Sequence, residues 1–471
     1  MTDTSTYNER KIMIKKSPLV TVLMTNYNCE KYLPESIGSV LKQTYSKIQF
    51  IIVDDGSTDG SVDVIRKFVD DRIELYISDK NEHISSATNR GMKYAKGDYL
   101  AIMDSDDVWE KDKLEKQLDY LEKHTELQGC FSWVSIIDEN GKNVTREYKE
   151  VADLFAASTD SREEWLRFFF YIGNRLSNPS SLVQMEAARE IGEHRYHLVQ
   201  GHDFDWWIRF TMKYQFGIIE ENLMKYRRFS DLTKGNVSGN SKQANMRFFN
   251  ECIWIRSHFF DEMEDELFIR TFAEKFVNAD SSTKEELECE KAFLLCSSAY
   301  RANSSRIVGL NKLAKLLEDE KMRQILKEKF HFDQKDFYKM NAEHLLWTDQ
   351  DEQQYQELQS LSDSQKEMLD LQQLHIAGLQ TEVEKIPHLK DHINVLEALI
   401  CKLNENINKL ESENKNLADK SKQIEEDLKS ENRNLADKVK QVEEEMAKMQ
   451  ETFSWRITKP LRILKQWIYK R

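Results

Sequence analysis

Between residues 19 and 106, short apolar runs alternate with segments whose apolar positions fall three or four apart. Residues 19–25, 49–54, 73–77 and 99–103 are short and largely apolar or β-branched, and each predicts a strand. The spacing of Tyr32, Ile37, Val40 and Leu41 predicts a helix over 30–43, and similar patterns predict helices over 61–69 and 85–94. Strands that are apolar on both faces, joined by helices, make a parallel sheet covered on both sides. Right-handed crossovers then bring the C-terminal ends of the strands to one edge, which is where such sheets bind ligands.

Residues 110–235 continue the domain with mixed topology. The pattern predicts strands over 130–137 and 216–219, a turn over 138–141, and helices rich in Trp and Phe over 163–171 and 204–214. Residues 240–350 show helical periodicity without a catalytic signature: Met246, Phe249, Ile253 and Trp254 share a face, followed by helices over 267–276 and 310–330. Ile386, Ile393, Ile400 and Ile407 then recur every seven residues, with Leu389, Leu396, Leu403, Leu410, Leu417 and Ile424 three positions behind. Isoleucine at a and leucine at d predict a parallel two-stranded coiled coil, hence a homodimer, and Asn414 at the next a position fixes register. Residues 412–420 recur almost unchanged as 430–438, a step that straightens the supercoil.

Composition sharpens this division. All glycines but Gly309 and Gly378 precede residue 240, so the chain is turn-rich first and helix-rich after. Charged residues make up 32%, which requires long solvated helical surface. A net charge of −14 argues against non-specific nucleic-acid binding, which needs many phosphates neutralised. The six cysteines form no C-x-x-C pair and read as reduced thiols of a cytoplasmic protein. The polar start shows no secretory signal, and no apolar run is long enough to span a membrane. The last stretch differs: Arg456, Lys459, Arg462, Lys465, Lys470 and Arg471 accompany no acid, and Leu461, Leu464, Trp467 and Ile468 share one face of a helix beginning at Pro460. A basic amphipathic helix of this kind predicts attachment to the cytoplasmic face of the membrane. The expected organisation is an N-terminal tail (1–17), an α/β domain (18–239), a helical region (240–350), a helical linker (351–386), a coiled coil (387–452) and a basic amphipathic tail (453–471).

Polar clusters stand at three predicted strand ends: Thr25, Asn26, Tyr27 and Asn28; then Asp54, Asp55, Gly56, Ser57, Thr58 and Asp59; then Asp104, Ser105, Asp106 and Asp107. Each alone reads equally well as a turn or helix cap. Together they form an acidic rim that would repel a nucleotide unless a divalent cation lay between them. Paired carboxylates at a strand end supply the oxygen ligands that Mg²⁺ or Mn²⁺ prefers. Neither a G-x-G-x-x-G nor a G-x-x-x-x-G-K-[ST] loop is present to cradle phosphate.

These residues, with residues 81–91 and Val108 and Trp109, resemble the family-2 glycosyltransferases of the GT-A fold in order and spacing over 18–235. The resemblance implies a mixed, mostly parallel sheet sandwiched by helices, here followed by a helical region and a long coiled coil. It implies that Thr25, Tyr27, Asp55, Asn89 and Asp104 contact a nucleotide-diphosphate sugar, such as a UDP-sugar. It implies that Asp104 and Asp106 form the DxD element, with Asp106 the closer ligand of Mn²⁺ or Mg²⁺. Asp203 stands where the family carries its general base. Two departures accompany the match: His202 replaces the usual Glu, and His83 and Thr88 stand where Gly and Arg are usual. The implied reaction is inverting transfer of a sugar to a hydroxyl of a glycan or lipid-linked acceptor of a bacterial surface polymer. The competing reading is a coiled-coil scaffold that binds nucleotide sugar without turnover; the intact Asp203, Asp104 and Asp106 favour the enzyme.

Overall fold

The computed structural model describes residues 17–159, 161–229, 242–297, 302–342, 349–384 and 390–468. Eight strands form one sheet: β1 (Val20–Asn26), β2 (Ile48–Asp54), β3 (Ile73–Ile77), β4 (Tyr99–Asp104), β5 (Val108–Trp109), β6 (Gly129–Ile137), β7 (Leu182–Gln184) and β8 (Phe216–Arg227). Their order is β3-β2-β1-β4-β7-β6-β8-β5. β7 runs antiparallel to β4 and β6, and β5 antiparallel to β8; the other pairings are parallel. The expected mixed, mostly parallel sheet is therefore present.

Alternation along the buried strands splits the interior into two layers. Val22, Met24, Phe50 and Ile52 face one side, where Leu33, Ile37 and Val40 of α1 (Leu33–Leu41) and Leu114 and Leu121 of a helix at Lys113–Lys123 cover them. Between these two helices in sequence lie α2 (Ser61–Arg66) and α3 (His83–Met92), so the Lys113–Lys123 helix is α4. Leu23, Ile51 and Val53 face the other side. Covering that side are α3 and the helices that follow α5 (Lys149–Leu154), namely α6 (Arg162–Tyr171), α7 (Met185–Ile191) and α8 (His202–Lys213).

The helical region is not an appendage. It comprises α9 (Lys242–His258), α10 (Asp265–Phe272), α11 (Lys284–Ser297), α12 (Ala302–Glu318), α13 (Glu320–Lys329) and α14 (Gln334–Ala342). Ile255, Phe259, Phe268, Phe272 and Leu294 belong to the same core as Leu23 and Phe131, so this region and the sheet form one compact unit, which ends near residue 344. The single helix expected over 310–330 is two: the side chain of Asp319 accepts the Met322 N–H at 2.9 Å and caps α13. The strand expected over 216–219 runs on to Arg227, because its later residues pair with β6 beyond a register shift at Trp133.

The second unit consists of α15 (Asp349–Glu384) and α16 (Lys390–Ile468). In α16 the a and d residues from Ile393 to Leu417 are consistently less exposed than their neighbours. What covers them in this chain is α15, whose Leu358, Ser362, Gln365, Leu369, Gln372, Ile376 and Leu379 form a matching stripe at alternating spacings of four and three. Ser362 Oγ donates to Asn414 Oδ1 at 3.0 Å. These two residues lie at similar distances from the 385–389 segment, so the helices run antiparallel. Within residues 351–386, expected as a helical linker, the described part 351–384 thus packs along α16. The expected helix start at Pro460 is not found, since α16 continues through it; proline removes one bond of the ladder, and its neighbours carry the helix on. Residues 1–16 of the N-terminal tail, Pro387 and Ile386 lie outside the described residues, as do the side chains of the basic tail. Among the described residues no helix is long and apolar enough to cross a membrane.

Candidate active site

The C-terminal ends of β1, β2 and β4 open onto a cleft of about 540 Å³. Strand register sets its floor: Thr25 lies beside Asp104, and Asn26 beside Asp54. Asp54 is consumed by structure, accepting from Asn26 Nδ2 at 2.7 Å and from the Ser57 backbone and hydroxyl. Gly56 follows with φ +74°, and a Cβ there would meet the Lys80 backbone at 2.6 Å, so only glycine allows this turn. Asp55 lines the cleft, and both its oxygens accept the Glu82 N–H, which ties the turn to the start of α3. Burial raises its pKa, against the lowering effect of those backbone bonds. His83 lines the cleft at φ +67°, a conformation that favours glycine; this is the position where the resemblance departed from the family's Gly.

Of the residues expected at the site, Thr25, Tyr27, Asp55, Asp104, Asp106 and Asp203 line this one cleft. Asn89 does not. It is buried behind it, with Nδ2 donating to the His194 carbonyl at 2.7 Å and Oδ1 accepting the His194 N–H at 2.7 Å. A side-chain amide that closes both backbone groups of one residue is a brace.

Burial pushes the carboxyls of Asp104 and Asp106 well above the ordinary range. For Asp104 the negative charges of Asp106 and Asp203 add to it, whereas Arg227 works in the opposite direction on Asp106. Among the described residues neither carboxylate has a lysine or arginine in ion-pair contact, and no three metal-ligating side chains converge to enclose an ion. Crowded carboxylate oxygens without a lysine or arginine in ion-pair contact are the donor type that a hard divalent cation takes. The residues therefore fit Mg²⁺ or Mn²⁺.

Asp203 enters from α8. The helix begins at His202 without a side-chain cap, so Asp203 sits in its first turn rather than capping it. Its Oδ1 accepts the Phe204 N–H at 2.7 Å, and its Oδ2 accepts from Asn174 Nδ2 at 3.1 Å. Burial raises its pKa, and these bonds and nearby His202 moderate the rise. His202 is itself fixed, its Nδ1 lying 2.9 Å from the Val199 carbonyl. Leu154, Phe155, Leu176, Pro179 and Phe248 add an apolar lining to the cleft. Asn178 belongs to a short turn held by Trp109 Nε1 on the Pro179 carbonyl (3.0 Å) and by Gln117 Nε2 on that of Ser180 (2.8 Å). Asn174 and Phe248 gave little sign of themselves in the sequence, because neither lies in a strand-end cluster; only the Gly173 turn before Asn174 hinted at a special backbone.

Residues 21–188 match the family model described as glycosyl transferase family 2. The glycosyltransferase MJ1057 of Methanocaldococcus jannaschii, itself uncharacterized, is 35% identical over 215 residues, covering 45% of this chain and 71% of that protein. The chain belongs to glycosyltransferase family 2. This transferase is also 39% identical over 122 residues to WfgD of Escherichia coli, a UDP-Glc:alpha-D-GlcNAc-diphosphoundecaprenol beta-1,3-glucosyltransferase, covering 26% of this chain and 48% of that one. A crystal structure of S. aureus TarS 1–349 in complex with UDP-GlcNAc aligns at TM-score 0.45 and 16% identity, covering 68% of this chain and 89% of that chain.

Proposed function

We propose that this glycosyltransferase moves a sugar, with inversion, from a nucleotide-diphosphate sugar to a hydroxyl of a glycan or lipid-linked acceptor in bacterial surface-polymer synthesis. The observation that carries the reading is that Asp203 lines the same cleft as Asp104 and Asp106 and is close enough for its charge to act on Asp104. A base on one wall and a paired-carboxylate floor on the other leave room between them for an anomeric carbon. Thr25, Tyr27 and Asp55 take the nucleoside. Asp203 receives the proton of the acceptor hydroxyl as its oxygen forms the new bond to the anomeric carbon. The bond from that carbon to the diphosphate breaks on the opposite face. A Mn²⁺ or Mg²⁺ held by Asp106 and Asp104 would supply neutralising charge for the departing diphosphate. The similarity to WfgD supports a UDP-sugar donor and a lipid-diphosphate acceptor.

The same reading places the enzyme in the cytoplasm at the inner face of the membrane, held there by the basic segment 453–471. It also makes the enzyme a homodimer through its C-terminal helices. The α16 seam is partly covered by α15, so a second copy would bury Leu371, Leu374, Val395 and Leu399, which the hairpin leaves exposed. The deciding experiment is a donor panel with Mn²⁺, followed by NMR of the product. Inverted anomeric configuration agrees with the proposal; retained configuration refutes single displacement.

A further inference from the structure

Nothing in the sequence of the helical region 240–350 carries chemistry, and the family match ends at residue 188. The structure nevertheless brings α9 against the candidate base from two sides. On one side is Glu251, buried in the middle of α9. Its Oε1 accepts the Val199 N–H at 2.9 Å, and its Oε2 accepts those of Gln200 (2.9 Å) and Gly201 (2.7 Å). Three successive backbone donors thus converge on one carboxylate, immediately before the α8 turn that presents Asp203. The fit is close: a Cβ on Gly201 would meet Ile255 Cδ1 at 2.8 Å and Glu251 Oε2 at 3.4 Å. Carboxylate bonds to backbone N–H groups are among the stronger hydrogen bonds, so the 199–201 loop has one position relative to α9.

On the other side is Arg256, a turn and a half further along the same helix. Its Nη2 donates to the carbonyls of Phe169 (3.2 Å) and Phe170 (2.7 Å), end-of-helix acceptors that α6 cannot satisfy internally. Its guanidinium also lies over the Phe170 ring at 4.8 Å. The chain leaving α6 turns at Gly173, with φ +104°, into Asn174, the residue that donates to Asp203 Oδ2. Glu251 therefore fixes the backbone that carries Asp203, and Arg256 fixes the end of the helix that leads to its hydrogen-bond partner. Phe248, one turn before Glu251, reaches the cleft itself.

We propose that α9 is part of the catalytic apparatus, with Glu251 and Arg256 as positioning residues for Asp203. This rests on Asp203 being the base. Neither residue contacts the nucleoside-side residues Thr25, Tyr27 and Asp55, so their loss acts on the proton-transfer geometry and leaves donor binding alone. Misplacing a catalytic group by about 1 Å costs on the order of 100-fold.

The test compares Glu251→Gln, Glu251→Ala, Arg256→Lys and Asp203→Asn in the full chain, with kcat and the donor KM measured separately and the fold checked by melting temperature. Glu251→Gln keeps one carbonyl acceptor and is expected to lower kcat about 10-fold, and Glu251→Ala about 100-fold, both with unchanged donor KM. Arg256→Lys falls between wild type and Glu251→Ala. Should Glu251→Ala fail to fold, Glu251→Gln decides alone. Wild-type kcat in Glu251→Gln, or a raised donor KM with kcat intact, overturns the proposal provided Asp203→Asn is inactive. Turnover that survives in Asp203→Asn instead overturns the assignment of the base.

Discussion

Arg227 donates through Nε to the backbone carbonyl of Asp106 at 2.6 Å, while its own backbone N–H goes to Asp107 Oδ1 at 2.8 Å. The guanidinium is buried, with Nη1 on the Asp138 carbonyl and Nη2 on Glu35, and lies 4.9 Å over the Tyr32 ring. One side chain at the end of β8 therefore ties the acidic loop to α1 and to the turn after β6. The loop holds its place although burial and repulsion push its carboxyls up, because this buried cation, itself part of the cleft lining, is bonded to its backbone.

Removing Arg227 takes a donor from the partly buried carbonyls of Asp106 and Asp138 and removes a positive charge that lowers the pKa of Asp106. Arg227→Ala is expected to cost about 3 kcal/mol of stability in urea unfolding, with Arg227→Lys losing about half as much. A loss below about 1 kcal/mol for the alanine variant would show that the loop is held by other contacts.

The pH dependence follows from Asp203. Burial raises its pKa above the usual 3.8, and a base works only when ionised. In the wild type, kcat/KM is expected to fall on the acid side at a pH above that ordinary value. Asp203→Glu, if it retains measurable turnover, should move this limb. A limb at the same pH in Asp203→Glu would assign it to another group.

His194 sets an acid limit on stability. It is buried, stacks on Trp206 and lies 3.3 Å from the His202 carbonyl through Nδ1, and burial and the charge of His202 depress its pKa from 6.5 to about 3. Its folded pKa is depressed, so the unfolded chain takes up a proton that the native state refuses. The stabilisation is complete above pH 6.5 and is lost progressively toward pH 3. Denaturant unfolding of wild type and His194→Gln between pH 7 and 4 should show the wild type losing stability faster; parallel curves would mean that the imidazole titrates freely.

The C-terminal hairpin gives a prediction about assembly. Leu371 and Leu374 are 67% and 72% exposed, although they sit in a helix already paired with α16. Sedimentation equilibrium should give twice the chain mass for the wild type and the single-chain mass for Leu371→Lys combined with Leu374→Lys. A wild-type monomer would refute dimerisation through these helices.

The parts legible in the sequence are those with local signals. Continuous apolar runs marked β1, β2, β4 and β6, and the polar residues at their ends marked the cleft, because strand direction alone decides where those ends lie. Heptad spacing marked α16. The α15 seam was not legible: its stripe mixes Ser362, Gln365 and Gln372 with leucine, and its apolar signal is diluted. Asn89 misled because its motif position matched while its side chain turned inward to His194. Glu251 and Arg227 act on backbone atoms far away in sequence, a relationship that neither periodicity nor composition encodes.

Metal-assisted sugar transfer in the cleft lined by Asp106 and Asp203 is the proposal on which the other assignments rest. The most direct measurement is acceptor-dependent release of UDP from a UDP-sugar, compared among wild type, Asp106→Asn and Asp203→Asn, with Mn²⁺ and with chelator. Wild-type enzyme is expected to release UDP only with metal, and both variants to lose at least about 100-fold. Equal release by wild type and Asp203→Asn, or full release in the presence of chelator, would contradict the proposal.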